Sequence, residues 1–286
     1  MGFVGCAKSP QDRLEAATEQ MYTGDFAGAQ QTLRRLLKAL DSQTPLDAAG
    51  KAAQRCALER VGNINALYLH DDAQAIADLG LLVRRYPQSE QAEAALWTIA
   101  DIYQYRQGKL SEAIVTYERL VELFADSPKA PAAQLAIVQA YFRLKDYVQA
   151  RQEARRIKQS WPKSPEASRA GFEIADAYSN ERHFTEAIAA YEALLDEAPE
   201  PQLATLARFE MGNCYQELGE PQRALSAYYS ALADHPNPAL VQRKIARVRS
   251  RIYNLAPSEG ILNAPPPSRR MLALQHRRMT RAPHKP

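Results

Sequence analysis

Histidine, cysteine and the carboxylates are the side chains that metal, nucleophilic and acid–base chemistry would recruit, and in this sequence they are scattered. The five histidines, His70, His183, His235, His276 and His284, contain no HExxH pair, and none has a second His or Cys at ligand spacing. The three cysteines, Cys6, Cys56 and Cys214, form no CxxC and no Cys/His pair that would hold a metal. No phosphate-cradling glycine loop and no GxSxG nucleophile turn is present. Adjacent acids such as Asp71-Asp72 read as solvated or helix-start charges. The expectation is a protein with no catalytic residues, no metal site and no cofactor.

What the residues specify instead is helix. The chain has 286 residues, 46% of them hydrophobic, with only 12 glycines. That balance suits helices packed on helices. No apolar run reaches the roughly 18 residues of a membrane span. The net charge is +3, from 36 Lys/Arg and 33 Asp/Glu. Eleven of the basic residues and one acid lie from residue 239 onward, so that segment carries +10 and the body before it −7. A split of this size predicts a tail that touches something acidic.

Internal periodicity organises the body. Ala113, Ala150, Ala187 and Ala224 recur at intervals of 37 residues. Tyr141, Tyr178 and Tyr215 stand nine residues before the last three; Tyr103 stands ten before Ala113, which predicts a turn longer by one. Four residues after each alanine come Tyr117, Ala154, Tyr191 and Tyr228. Pro128, Pro162, Pro199 and Pro236 follow. The pattern describes a helix hairpin. The tyrosine closes helix A, and the turn follows, with Gly108 and Gly219 in two of the four. The small alanine lets helix B approach, the next aromatic fills the space behind it, and proline stops helix B. Each hairpin leaves an apolar flank for the next to cover.

Two weaker copies lie upstream, on Gly24, Phe26, Ala29 and Leu33, and on Ala75, Leu79 and Pro87. In the second, Tyr68 sits closer than nine to its alanine, which predicts a shorter turn. The polar stretch from Asp41 to Gly50 is expected to be a longer loop. The total is about six hairpins over residues 10–238, with a basic amphipathic helix at 239–255 covering the last apolar face.

These residues resemble the tetratricopeptide repeat family. The alanine, the tyrosine before it, the aromatic after it and the closing proline all match that signature, and Gly212 fits its helix-A glycine. The usual period of 34 is exceeded by three, in stretches such as FADSPKAPAA and WPKSPEASRA. That phrasing is similar to periplasmic repeat proteins of the BamD and YbgF type. The resemblance implies an all-α, right-handed superhelical solenoid whose A helices line the concave side. By the family's register, the fifth, ninth and twelfth positions of helix A face the groove. Those positions are Trp97, Asp101 and Gln104; Leu135, Gln139 and Phe142; Phe172, Asp176 and Ser179; and Phe209, Asn213 and Gln216. Arg143 and Arg169 add positive charge beside them. A row of large apolar residues flanked by amides and carboxylates would suit a partner helix or extended peptide. The alternative is that the rings pack against the next repeat. The lysine–asparagine clamp for chaperone tails is missing, because the fifth positions are apolar.

Both ends carry separate signals. Phe3-Val4-Gly5-Cys6 resembles a bacterial lipobox, which implies diacylation of Cys6 and, with Ala7 after it, an outer-membrane anchor formed by segment 1–9. The alternative is an incidental cysteine on a cytosolic solenoid. Residues 256–286 are rich in proline, with Pro257, Pro265, Pro266 and Pro267, and then in arginine around Met271, Leu272 and Leu274. This segment is expected to be a disordered tail with an acidic partner or an anionic surface as its target. It has no interleaved aromatics, which makes nucleic acid the weakest option. The reading is a non-catalytic scaffold in a periplasmic, outer-membrane-anchored complex, with outer-membrane protein assembly as one setting. A cytosolic adaptor and a structural subunit of a large assembly are the alternatives.

Overall fold

The computed structural model describes residues 9–43 and 45–255 of the chain, with side chains to residue 252. Among them are thirteen helices and no strand. They pair as α1 (Pro10–Tyr22) with α2 (Phe26–Asp41), α3 (Ala48–Leu67) with α4 (Asp72–Arg85), and α5 (Glu90–Asp101, continuing as a π-helical turn Ile102–Gln107) with α6 (Leu110–Leu123). The remaining pairs are α7 (Ala130–Arg143) with α8 (Tyr147–Ser160), α9 (Pro165–Asn180) with α10 (Phe184–Asp196), and α11 (Pro201–Glu217) with α12 (Pro221–Ala231). Helix α13 (Pro238–Leu255) packs on α12 through Val241, Ile245 and Val248. Six hairpins and a cap result.

The six anchoring alanines, Ala29, Ala75, Ala113, Ala150, Ala187 and Ala224, are all fully buried. A methyl is the largest group that lets the two helices of a hairpin close at that point. The residue four further on is Leu33, Leu79, Tyr117, Ala154, Tyr191 or Tyr228, and each is sealed in the core. Opposite it, helix A carries something small. A Cβ on Gly62 would meet Leu79 at 2.5 Å, and one on Gly212 would meet the Tyr228 ring at 2.6 Å. The fourth hairpin reverses the sizes, with Val138 in the same core cluster as Ala154. Total volume is conserved, as close packing requires.

Turn geometry is shared by all six hairpins. The residue five before the alanine is left-handed in every one: Gly24, His70, Gly108, Lys145, Arg182 and Gly219, with φ between 54° and 80°. In hairpins one, four, five and six, the backbone N–H four before the alanine bonds a carbonyl five residues back, as from Asp146 to Tyr141 at 3.0 Å. In hairpins two and three it reaches six back, from Asp71 to Asn65 at 2.9 Å and from Lys109 to Tyr103 at 2.8 Å. Two expectations need correction here. The extra residue of the third hairpin is absorbed inside the helix as a π-turn rather than by lengthening the link. The second turn is longer by one, not shorter: Asn65 holds the tyrosine's place, and Tyr68 lies beyond the helix end, stacked on Phe26 at 3.9 Å.

Further adjustments are local. The tyrosines lie two residues inside helix A in the last three hairpins. Helices α4 and α8 end two residues before their prolines, whose predecessors avoid helical backbone, whereas α6 and α12 end five residues before theirs. The loop after α2 runs only from 42 to 47, since Asp47 accepts from the Gly50 N–H at 2.7 Å and starts α3 early.

Candidate functional site

Helices α1 and α3, α3 and α5, α7 and α9, and α9 and α11 touch directly, whereas neighbouring B helices contact each other far less. A stack in which A helices crowd and B helices spread curves with A inside. The inner wall is therefore built from the odd-numbered helices, as the repeat register implies.

The fifth-position rings do two things at once. Trp97, Phe172 and Phe209 each set an edge or a tilted face against the buried helix-B tyrosine of their own hairpin. The ring centres are 5.6 Å apart to Tyr117, 5.5 Å to Tyr191 and 5.6 Å to Tyr228. Phe172 and Phe209 are 8% and 6% exposed, so most of their surface is spent on packing. Phe209 also lies 4.7 Å from His235, whose Nδ1 accepts from the Asn237 N–H at the α12–α13 corner. Trp97 and Leu135 remain half-buried.

The ninth positions answer the same tyrosines. Tyr117 donates to Asp101 at 2.6 Å and Tyr228 donates to Asn213 at 2.8 Å. Burial first, and then the Asp101 bond, raise the Tyr117 hydroxyl far above its ordinary range. The Tyr191 hydroxyl lies against the Asp176 carboxylate and lowers its pKa, though in poorer hydrogen-bond geometry than its two counterparts. In the fourth hairpin Ala154 brings no hydroxyl at all, and Gln139 stays half-exposed without a tyrosine partner. At the twelfth positions, Gln104 is 1% exposed with Oε1 unpartnered, and its carbonyl accepts from Arg143 at 2.9 Å. Phe142 packs its edge on Tyr147 at 5.6 Å. Ser179 meets the Cys214 thiol at 3.5 Å, and Gln216 accepts from Tyr228 at 3.3 Å.

The wall thus has two characters. Hairpins three and four offer Trp97, Leu135, Gln139 and Phe142 with the exposed cation Arg143. Hairpins five and six offer carboxylates. Arg169 pairs with Glu173 at 2.9 Å and lies over the Phe172 ring. Asp176 and Glu210 face the same space. Desolvation raises Glu173, Asp176 and Glu210 above ordinary carboxylate values, and Asp176 raises Glu210 further while Lys244 and His235 lower it. Glu210 was not singled out from sequence; it lies one residue past a fifth position, a place the family register does not mark.

A second missed feature is a cavity of about 480 Å³ between α1 and α3, lined in part by Leu14, Thr18, Ala49, Ala53, Cys56 and Arg60. The alanine run at the start of α3 was its only sequence signal. Burial raises both the Cys56 and the Cys214 thiols, which disfavours the thiolate that nucleophilic chemistry needs. Among the described residues no cluster of His, Cys, Asp and Glu could hold a metal ion, and no helix is long and apolar enough to cross a membrane. Cys6 and the tail 256–286 lie outside the described residues.

Residues 102–165 and 172–239 match the tetratricopeptide repeat family model. No curated protein matches the sequence. Among solved structures, a tetratricopeptide repeat protein from Parabacteroides merdae ATCC 43184 is similar at 16% identity, over 86% of this chain and 88% of that one, with a TM-score of 0.52. The apo form of RapI is similar at 14% identity, over 86% and 72%, with a TM-score of 0.57. YrrB, a TPR protein with an unusual peptide-binding site, is similar at 15% identity, over 69% and 97%, with a TM-score of 0.50. At these identities the likeness concerns the fold alone. Two matched stretches, six hairpins with one shared turn geometry and a sealed alanine in each together make this an all-helical tetratricopeptide-type solenoid.

Proposed function

We propose that this solenoid is a scaffold that binds partner proteins along its inner wall, anchored at hairpins three and four. The observation that carries this reading is the set Trp97, Leu135, Gln139 and Phe142, which the fold's own packing covers only in part. Large apolar side chains on a concave wall bury the anchors of a helix or extended peptide, and a free amide beside them can pair with its backbone. Aromatic anchors of this kind dominate binding energy elsewhere. That YrrB has a peptide-binding site on this fold supports the same use here. The test is a pull-down with the full chain and a Leu135→Arg/Gln139→Ala variant. Loss of partner with an unchanged melting temperature is the expected result; retention of partner sinks the reading.

We further infer a cell-envelope setting, in which Cys6 carries the lipid anchor and the solenoid stands on the periplasmic face of the outer membrane. The support is the Phe3-Val4-Gly5-Cys6 resemblance and the similarity of the repeat phrasing to BamD- and YbgF-type proteins. Outer-membrane protein assembly is the process such a scaffold would serve. Mass spectrometry of the native N-terminus decides it. A diacylated Cys6 is expected, and an unmodified terminus makes the chain a cytosolic adaptor instead.

A further inference from the structure

Exposed apolar side chains collect on one edge of the solenoid. Every large one among the described residues lies between eight residues before its hairpin's anchoring alanine and two after it. That interval holds the turn between helix A and helix B. At the opposite edge, where one hairpin is linked to the next, Tyr86, Phe124 and Trp161 are half-buried. Hairpins two to four carry most of the exposed set, with Leu67 at 61% and Tyr105 at 63%, and with Leu69, Leu144 and Val148 beside them. The three turns touch in succession. Arg106 reaches Asp72 at 2.7 Å, joining the second turn to the third. Arg143 lies 5.9 Å from the centre of the Tyr105 ring, joining the third to the fourth. Apolar residues scattered singly over a surface need no explanation, but a row confined to one edge marks a contact surface.

We propose that this edge rests on an anionic lipid bilayer, with the basic residues 256–286 bound beside it. Leucine, valine and tyrosine flanked by lysine and arginine is the composition of a membrane interface, where rings sit at headgroup depth and cations meet phosphates. In stretches 105–112 and 143–148, four bases stand against two acids. Lys109 lies over the Tyr103 ring, Arg143 over Tyr105, and Lys145 is exposed; none of the three pairs with a carboxylate among the described residues. Asp146 is occupied in capping α8 through the Gln149 N–H at 3.1 Å. The backbone tolerates such a setting as well. Turn N–H groups bond within the fold, from Leu69 to Ile64 at 3.0 Å, from Lys109 to Tyr103 at 2.8 Å and from Lys145 to Phe142 at 2.9 Å, so shallow insertion strands none of these. The position of the basic tail points the same way. Helix α13 stands where helix A of a seventh hairpin would, packing Val241, Ile245, Val248 and Ile252 into the same cluster as α12. It therefore runs antiparallel to α12 and ends at Leu255 on the apolar edge. From there the chain continues to Arg269, Arg270, Arg277, Arg278 and Arg281. Each basic residue held near an anionic surface strengthens the attraction. The contact does not depend on Cys6, whose segment joins α1 at the opposite edge, and it leaves the inner wall open to a protein partner.

The experiment is sedimentation of the full chain with vesicles of phosphatidylglycerol and phosphatidylcholine in equal parts. The chain carries Cys6→Ser, so that no acyl group contributes. It should pellet with the vesicles, and Leu67→Glu/Tyr105→Glu/Leu144→Glu should weaken binding by about tenfold or more, since three apolar contacts become charges. All three positions are exposed, so the melting temperature should hold. Leu67→Ser/Tyr105→Ser/Leu144→Ser removes the same contacts without adding charge and should weaken binding in the same direction. Hydrogen exchange with vesicles present should slow at 66–72, 104–109 and 143–148 and stay unchanged in the links 125–129 and 161–164. Equal binding of both variants and the original chain overturns the proposal, by assigning the attraction to the tail alone. Slowed exchange in the links instead of the turns also overturns it. So does self-association without vesicles that the variants abolish, which assigns the edge to a second copy. The Leu135→Arg/Gln139→Ala variant should bind vesicles as the original chain does, which separates failure here from failure of the partner-binding reading.

Discussion

At the scale of single residues, the hairpins work by matching one small group to one large one. Gly212 faces Tyr228 so closely that an added Cβ would stand 2.6 Å from ring carbons. The ring is fully buried and cannot swing away. Gly212→Ala should therefore lower stability by about 1–3 kcal/mol, read as a fall in the urea midpoint at unchanged slope. Charge is tuned at the same scale. Glu59 on α3 is held above its ordinary value of 4.5, first by burial and then by the charge of Glu90. Its pKa is higher folded than unfolded, so the folded chain holds the proton more tightly. The stabilisation is complete below about 4.5 and is lost as pH rises through the folded value. Glu59→Gln carries no charge to desolvate. Its urea midpoint should match that of the original chain at pH 4 and exceed it increasingly as pH rises. A difference that shrinks with rising pH would contradict the assignment.

At the scale of elements, the recurring feature is a left-handed residue five before each anchoring alanine. Glycine fills it at Gly24, Gly108 and Gly219, while His70, Lys145 and Arg182 take the same backbone with a Cβ attached. That conformation costs a non-glycine residue roughly 1–2 kcal/mol, partly offset by the lower chain entropy of the unfolded state. Lys145 is exposed, so Lys145→Gly should raise stability by about 0.5–1 kcal/mol in denaturant titration. A loss would mean that the lysine side chain contributes something its exposure does not suggest. The hairpin itself was legible in sequence because alanine, aromatic and proline recur at fixed offsets. The turns of hairpins two and three were not. Spacing reveals that a residue is extra, but the backbone can place it in a link or inside a helix. At Tyr103 the π-turn was chosen because it keeps Gly108 in register with its counterparts.

At the scale of the whole molecule, stability is a sum of neighbouring hairpins, each covering the last. Cross-hairpin pairs add to this, such as Arg34 with Asp78 at 2.6 Å, Lys158 with Glu197 at 2.6 Å and Arg151 with Glu181. The last described hairpin would leave an apolar flank open. Helix α13 covers it with Val241, Ile245 and Val248 against α12, and it turns arginines outward. Val241→Asp places a charge in that seam and should uncap the array. The expected outcome is earlier melting of the C-terminal hairpins by hydrogen exchange, with concentration-dependent association on size exclusion. Unchanged exchange in α11 and α12 would show that the cap is dispensable.

Composition and a 37-residue period were enough to determine helix, hairpin, stacking and cap, because those follow from local volume and spacing that repeat along the chain. The inner-wall positions could be named from the repeat register, but their character could not. Phe172 and Phe209 were legible as aromatic, yet how far each sinks toward Tyr191 or Tyr228 depends on the helix opposite. Whether Asp176 and Glu210 meet depends on how α9 and α11 lie side by side, which no spacing within one repeat encodes. Contact between repeats and burial of charge are properties of distance in three dimensions, and only the tertiary structure decided them.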